Sequence, residues 1–234
     1  MTLLGIETAT TVCAAAVMRD GVLLAEELVD ERNVHAEKLL TIVDTAFRRS
    51  GSTLDQMEGI AVSIGPGSFT GLRIGLSVAK GLAFASGKPI LPVPTLLGMA
   101  AKAAGAPGEE NLAEYVLPLL DARRGDVYCA LYRRHKGELL QEWEPRVMTL
   151  DGVAEAVRTL RVLVTGDARH ALEHAVHGRF PESARNLRIA TDHVAQCSAA
   201  AVARIGELLL RQGRSADPAL LEPEYLRDFH TTTH

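Results

Sequence analysis

Residues 59–87 constrain the fold more than any other part of the chain. A short apolar run, 59–64, enters the turn Gly65-Pro66-Gly67-Ser68-Phe69-Thr70-Gly71 and leaves as a helical pattern to about Ser86. Glycines permit a sharp turn with positive φ, and a helix opening behind it presents free N–H groups. Ser68 and Thr70 are both suited to cap that helix. The turn is not a phosphate loop of the Gly-Lys-Ser/Thr kind. Nor is it a serine nucleophile elbow, because Pro66 stands where the first glycine would be. A strand, a glycine turn and a helix in that order point to an α/β fold.

The order of elements around this turn repeats. Residues 2–8, 12–18 and 21–29 read as three strands, with Asp20-Gly21 as a hairpin signal. Ala36, Leu39, Leu40, Val43 and Phe47 recur at helical spacing up to Gly51. Residues 88–93 read as a further strand, and Thr95 as a helix cap. After a loop at 104–114 the same order returns. Strands at 115–121 and 127–132 flank Arg123-Arg124-Gly125, and 137–142 echoes 21–26. A helix near 151–160, a strand at 161–165 ending at Gly166, and a helix at 193–211 complete the pattern. The expected architecture is a duplicated βββαβα unit of the ribonuclease-H type, with the second lobe reduced. That is the organisation of the actin, hexokinase and Hsp70 (ASKHA) superfamily. The expected lobes are 1–103 and 104–214, with 215–234 a tail packing back on the first.

Composition narrows the function. The hydrophobic fraction of 47% supports real cores, and a net charge of −4 opposes a strongly basic nucleic-acid footprint. Cys13, Cys129 and Cys197 are odd in number and far apart, as expected of reduced core thiols in a cytoplasmic protein. No segment reads as a signal peptide or a membrane span. Gly71, Gly75, Ala79 and Ala83 fall four apart on one stripe, where small residues admit a close neighbour. The 36–50 helix carries Leu39, Leu40, Ile42, Val43, Ala46 and Phe47, more apolar surface than one buried face requires. His170-Ala171-Leu172-Glu173-His174 matches an H-x-x-E-H zinc pattern, but its surroundings are charged and no third ligand stands out. With His177 it suits weak adventitious metal at most.

The segment from Ser63 to Ala83 resembles the hallmark stretch of the TsaB family, also called YeaZ. Gly5-Ile6-Glu7-Thr8-Ala9 resembles that family's first strand, and His35-Ala36-Glu37-Lys38-Leu39-Leu40 its first helix. Asp121-Ala122-Arg123 with Asp126-Val127-Tyr128 resembles the opening of its second domain, and Pro223-Glu224-Tyr225-Leu226-Arg227 its C-terminal motif. The resemblance implies a non-catalytic partner subunit. Its paralogue TsaD would transfer threonylcarbamoyl from the adenylate to N6 of the tRNA adenosine beside the anticodon. The ATPase TsaE would join the complex, tRNA would be contacted mainly through it, and the chain alone would form a homodimer. The first two helices would meet a partner's helices, which makes Leu39, Ile42, Ala46, Gly71, Gly75, Ala79 and Ala83 the expected interface. ATP or ADP and metal belong on the partners. Glu7, Gly166 and Asp167 are the candidates for a vestigial nucleotide cleft, with Asp121 a further carboxylate at a strand turn. The single glycine at Gly166 departs from the superfamily's adjacent pair. TsaD's two metal histidines correspond here to His35 and Leu39, so His35 is expected only to cap or flank the helix start. The alternative reading is a stand-alone ATP-dependent phosphotransferase or ATPase of the same superfamily.

Overall fold

The structure, a computed structural model, describes residues 1–108 and 113–226. It divides into two compact units. Of the described residues, the first comprises Met1–Lys102 and Gln196–Pro223, and the second the rest of 103–195 together with 224–226.

In the first unit, β1 (Thr2–Glu7), β2 (Val12–Arg19) and β3 (Val22–Asp30) form an antiparallel meander, and β4 (Gly59–Gly65) and β5 (Ile90–Pro94) extend it in parallel. The strand order is β3-β2-β1-β4-β5. Period-two alternation sends Leu4 and Ile6 of β1 to one face and Leu3 and Gly5 to the other. On the first face lie α1 (His35–Ser50) and α2 (Phe69–Ser86), with Leu39, Ile42, Val43, Ala46, Leu76, Ala79 and Ala83 in one core with Leu4, Ile6 and Val17. Gly51 and Gly87 end the two helices in the left-handed region, φ 63° and 68°. Ser68 caps α2 by accepting from the Gly71 N–H at 3.2 Å. Thr95, expected as a cap, instead opens α3 (Thr95–Ala104), and its Oγ1 accepts from the Gly65 N–H at 3.1 Å.

The second unit repeats this plan. β6 (Tyr115–Asp121), β7 (Asp126–His135) and β8 (Glu138–Thr149) are antiparallel, and β9 (Val162–Thr165) and β10 (Leu187–Ile189) run parallel to β6. The order β10-β9-β6-β7-β8 matches the first sheet, so the duplication read from the sequence is present. α4 (Leu150–Val157) and α5 (Arg169–Arg179) bury Val153, Val157, Leu172 and Val176 against this sheet.

Two expectations need correction. The 193–211 helix is two pieces, α6 (Asp192–Ala195) and α7 (Ala199–Arg211). And α7 does not belong to a 104–214 lobe: it covers the second face of the first sheet, with Val202 and Ile205 against Leu3, Leu91 and Val93. The helix that follows Gly166, as α2 follows Gly65, is α5. Polar contacts fix α7 in place. Glu26 Oε1 on β3 accepts from Ser198 Oγ (2.8 Å) and from the Ala200 N–H (3.0 Å), a carboxylate at a helix N-terminus. Near the other end Glu207 accepts from the Gly21 N–H at 3.0 Å. Of the tail, Ala216 bridges to Ile90 and Leu221 packs on the first core, while Arg227 and the last residues lie outside the described set, as do 109–112 of the loop.

Candidate functional site

Glu7 ends β1 and is 2% exposed. Its Oε1 accepts from the Ala9 N–H at 2.6 Å and from Ser63 Oγ at 3.0 Å. Burial pushes its carboxyl up to about 7, against these hydrogen bonds, which favour the charged form. Ser63, on β4, was not singled out from sequence; a lone serine in an apolar strand is the trace it leaves. Glu7 is thus a sealed group supplied with protein donors, and this does not fit a carboxylate that holds a nucleotide's metal. Among the described residues no group of three or more His, Cys, Asp or Glu is placed to hold an ion.

Gly166 and Asp167 lie in the second unit and Glu7 in the first. Gly166 has φ 101°, and Asp167 Oδ1 accepts from the Asp121 N–H at 2.9 Å. Behind them stands Arg169, 9% exposed, donating to the Gly166 carbonyl (2.9 Å) and the Ala190 carbonyl (3.0 Å) and paired with Asp192. The arginine braces the glycine turn from inside, a role that spacing alone does not reveal.

His35 is buried rather than a surface flank, with Nε2 3.3 Å from the Val12 carbonyl. His170, His174 and His177 are exposed on α5. His170 Nδ1 lies 3.1 Å from Glu173 Oε2, and His177 Nδ1 2.9 Å from the Glu173 carbonyl. Exposed pairs of this kind contribute little. His170→Ala with His174→Ala should change the unfolding temperature by less than about 2 °C and leave partner function intact. Tightly bound zinc lost in that variant together with function would reverse this.

The seven expected interface residues are all interior. Leu39 is 1% exposed, Ile42 7%, and Ala46, Ala79 and Ala83 are likewise in the core. Gly71 and Gly75 face the β1–β2 turn: a Cβ at Gly71 would stand 2.2 Å from the Thr8 carbonyl oxygen, and one at Gly75 2.1 Å from Thr8 Oγ1. The small-residue stripe therefore serves close packing on the chain's own sheet. What α1 and α2 expose is the neighbouring row. Leu40 is 62% and Phe84 92% exposed. Ala36, Phe69, Thr70, Arg73, Ile74, Ser77 and Val78 line an open depression of about 450 Å³, with the Arg73 guanidinium 3.6 Å above the Phe69 ring centroid. Leu40 was read as part of the apolar stripe with Ala36, Leu39, Val43 and Phe47; the structure instead turns it outward.

Two sheets of identical order, each with crossing helices, give the chain an ASKHA-type fold. The fold likeness to the ROK hexokinase of Thermus thermophilus agrees, with TM-score 0.56 at 15% identity over 90% of this chain and 100% of that one. A family model described as TsaD: tRNA N6-adenosine threonylcarbamoyltransferase matches residues 29–233. The Haemophilus influenzae tRNA threonylcarbamoyladenosine biosynthesis protein TsaB is 30% identical over 97% of this chain and 94% of its own length. The Escherichia coli TsaB is 40% identical over 57% of this chain, a match that spans 56% of that relative. The solved structure of YeaZ from Pseudomonas aeruginosa gives TM-score 0.77 at 26% identity, covering 96% of this chain and 100% of that one. The chain belongs to the family that this model describes and, by these relatives, to the TsaB (YeaZ) proteins of tRNA threonylcarbamoyladenosine biosynthesis.

Proposed function

We propose that this chain is a non-catalytic partner subunit that docks through the outward face of α1 and α2. Its partner would be TsaD, which transfers threonylcarbamoyl from its adenylate to N6 of the tRNA adenosine beside the anticodon. TsaE would join the complex in the cytoplasm, tRNA would be met mainly through it, and the isolated chain would pair with itself through the same face. The observation that carries this is the outer face of the helix pair, which leaves Leu40 and Phe84 uncovered and has an open depression lined by Ala36, Phe69, Ile74 and Val78 among others. Large side chains left in water on adjoining helices mark a contact surface. Supporting it, Glu7 is closed off and its oxygen engaged, which disfavours the stand-alone phosphotransferase reading; ATP, ADP and metal would sit on the partners. The thiols of Cys13 and Cys129, pushed up to about 11 by burial, suit inert core positions in a reducing compartment. Among the described residues no helix is long and apolar enough to cross a membrane.

The test places a charge on the outer row. Leu40→Arg and Ser77→Arg should stay folded by circular dichroism. Each should weaken self-association and TsaD binding by at least roughly tenfold, since an unpaired buried charge costs several kcal/mol. Threonylcarbamoyl transfer in the reconstituted mixture should fall with binding, and the chain alone should turn over no ATP. Arginine at Leu39 or Ile42 would not report on docking, because it would break the core. Normal association and transfer by both folded variants would place the interface elsewhere.

A further inference from the structure

The sealed carboxyl of Glu7 and the depression between α1 and α2 are joined through a single turn. Ala9 is engaged on both sides of its backbone. Its N–H donates to Glu7 Oε1 at 2.6 Å, and its carbonyl accepts from the Ser68 N–H at 2.7 Å. Ser68 is the N-cap of α2, and its own Oγ accepts from the Gly71 N–H at 3.2 Å. The two segments also touch without slack. A Cβ at Gly67 would stand 2.3 Å from the Ala9 carbonyl oxygen, and one at Gly71 2.2 Å from that of Thr8. Glu7 is anchored from the far side by Ser63 Oγ on β4, which also lies 3.4 Å from the Thr8 N–H. The contacts therefore run from β4 through the carboxyl and the 8–9 turn to the first turn of α2. That turn carries Phe69 and Thr70, and Arg73 follows directly; all three line the depression.

We propose that Glu7 is a positioning residue: by holding the 8–9 turn it seats the first turn of α2, and with it one wall of the docking depression. At the end of β1 this chain turns the carboxyl inward to hold its own backbone. The geometry favours that role over a ligand-binding one, because both polar partners on Oε1 are protein donors and the side chain is closed to solvent. The link to docking rests on the reading of the α1–α2 face given above; the seating of the helix does not.

The experiment measures amide exchange at Ser68 and Gly71 by NMR, with α7 amides as the internal reference, in wild type, Glu7→Leu, Glu7→Gln and Ser63→Ala. Self-association by sedimentation is read on the same samples. Glu7→Leu leaves the turn without its acceptor and should speed Ser68 exchange roughly tenfold or more, since one buried hydrogen bond is worth about that factor. Self-association should weaken to a similar degree. Glu7→Gln offers an amide oxygen to the same two donors and should stay within about twofold of wild type. If Glu7→Leu does not fold, Ser63→Ala removes one anchor and should speed Ser68 exchange a few-fold. Unchanged Ser68 exchange in a folded Glu7→Leu or Ser63→Ala protein overturns the proposal. So does a glutamine variant that behaves like the leucine one, which would mean that charge rather than bonding holds the turn. If Leu40→Arg associates normally while Glu7→Leu still loosens Ser68, the docking reading falls and the positioning role stands.

Discussion

Gly5→Ala should lower the unfolding temperature by roughly 10 °C and loosen α7 before anything else, which differential scanning calorimetry and amide exchange along 199–211 would show. The reason is a close approach of backbones. A Cβ at Gly5 would stand 2.1 Å from the Ala199 carbonyl oxygen and 2.9 Å from the Ala203 Cβ. Neither neighbour is the tip of a flexible side chain, so the helix itself has to move. The same closeness recurs where α7 crosses β4, with a Cβ at Gly206 2.4 Å from that of Ala61. Shifting α7 pulls Val202 and Ile205 away from Leu3, Leu91 and Val93 and strains the bonds that Glu26 and Glu207 make at its two ends. Overpacking of this kind costs about 3 kcal/mol. A variant with unchanged stability and unchanged protection over α7 would mean that the sheet and helix are not packed as described.

At pH 8 Glu7→Gln should be more stable than the wild type, by up to about 3 kcal/mol, and the gap should close toward pH 4.5. Burial raises the Glu7 carboxyl from 4.5 to about 7 in the folded protein. A carboxyl whose folded value lies above its unfolded one binds its proton more tightly when folded. Its contribution is therefore fully present below about 4.5 and is lost as pH rises through about 7. Glutamine carries no such proton and keeps an oxygen for the Ala9 N–H and Ser63 Oγ, so its profile lacks this slope. Urea unfolding of both proteins at several values from pH 4.5 to 8 reads the difference. A gap that does not change across that window would show that Glu7 titrates as an ordinary exposed carboxyl.

Much of the fold was legible because its signals are local. The apolar run of 2–8, the glycine turn at 65–71 and the glycine stop at Gly51 are decided within a few residues of themselves, and the repeated order of elements gave the duplication. The return of α7 to the first sheet was not legible, because a helix's apolar stripe records that it is buried and not against which sheet. The same limit explains the partner face. Gly71, Gly75, Ala79 and Ala83 show that something approaches closely, and only the contact with Thr8 shows that it is the chain's own turn. Ile42 looked surplus to one buried face yet is 7% exposed within the core, whereas Leu40 carries the outward surface. Glu7 was picked out by position, but its partners were invisible, since Ser63 lies 56 residues away in sequence.

The place of α7 also sets an order of events during synthesis. The first sheet is complete by β5, yet one face of it has only Leu97 and Ala101 of α3 against it until residues 199–211 have left the ribosome, after the whole of 103–195. The first sheet is therefore made before β6–β10 but receives α7 only after them. In the interval Leu3, Ala61, Leu91 and Val93 form a partly covered apolar surface on a nascent chain, which is the kind of surface that holding chaperones bind. A ribosome stalled between β10 and α7 would present a sheet with one side partly open, and release of α7 would close it in a single step.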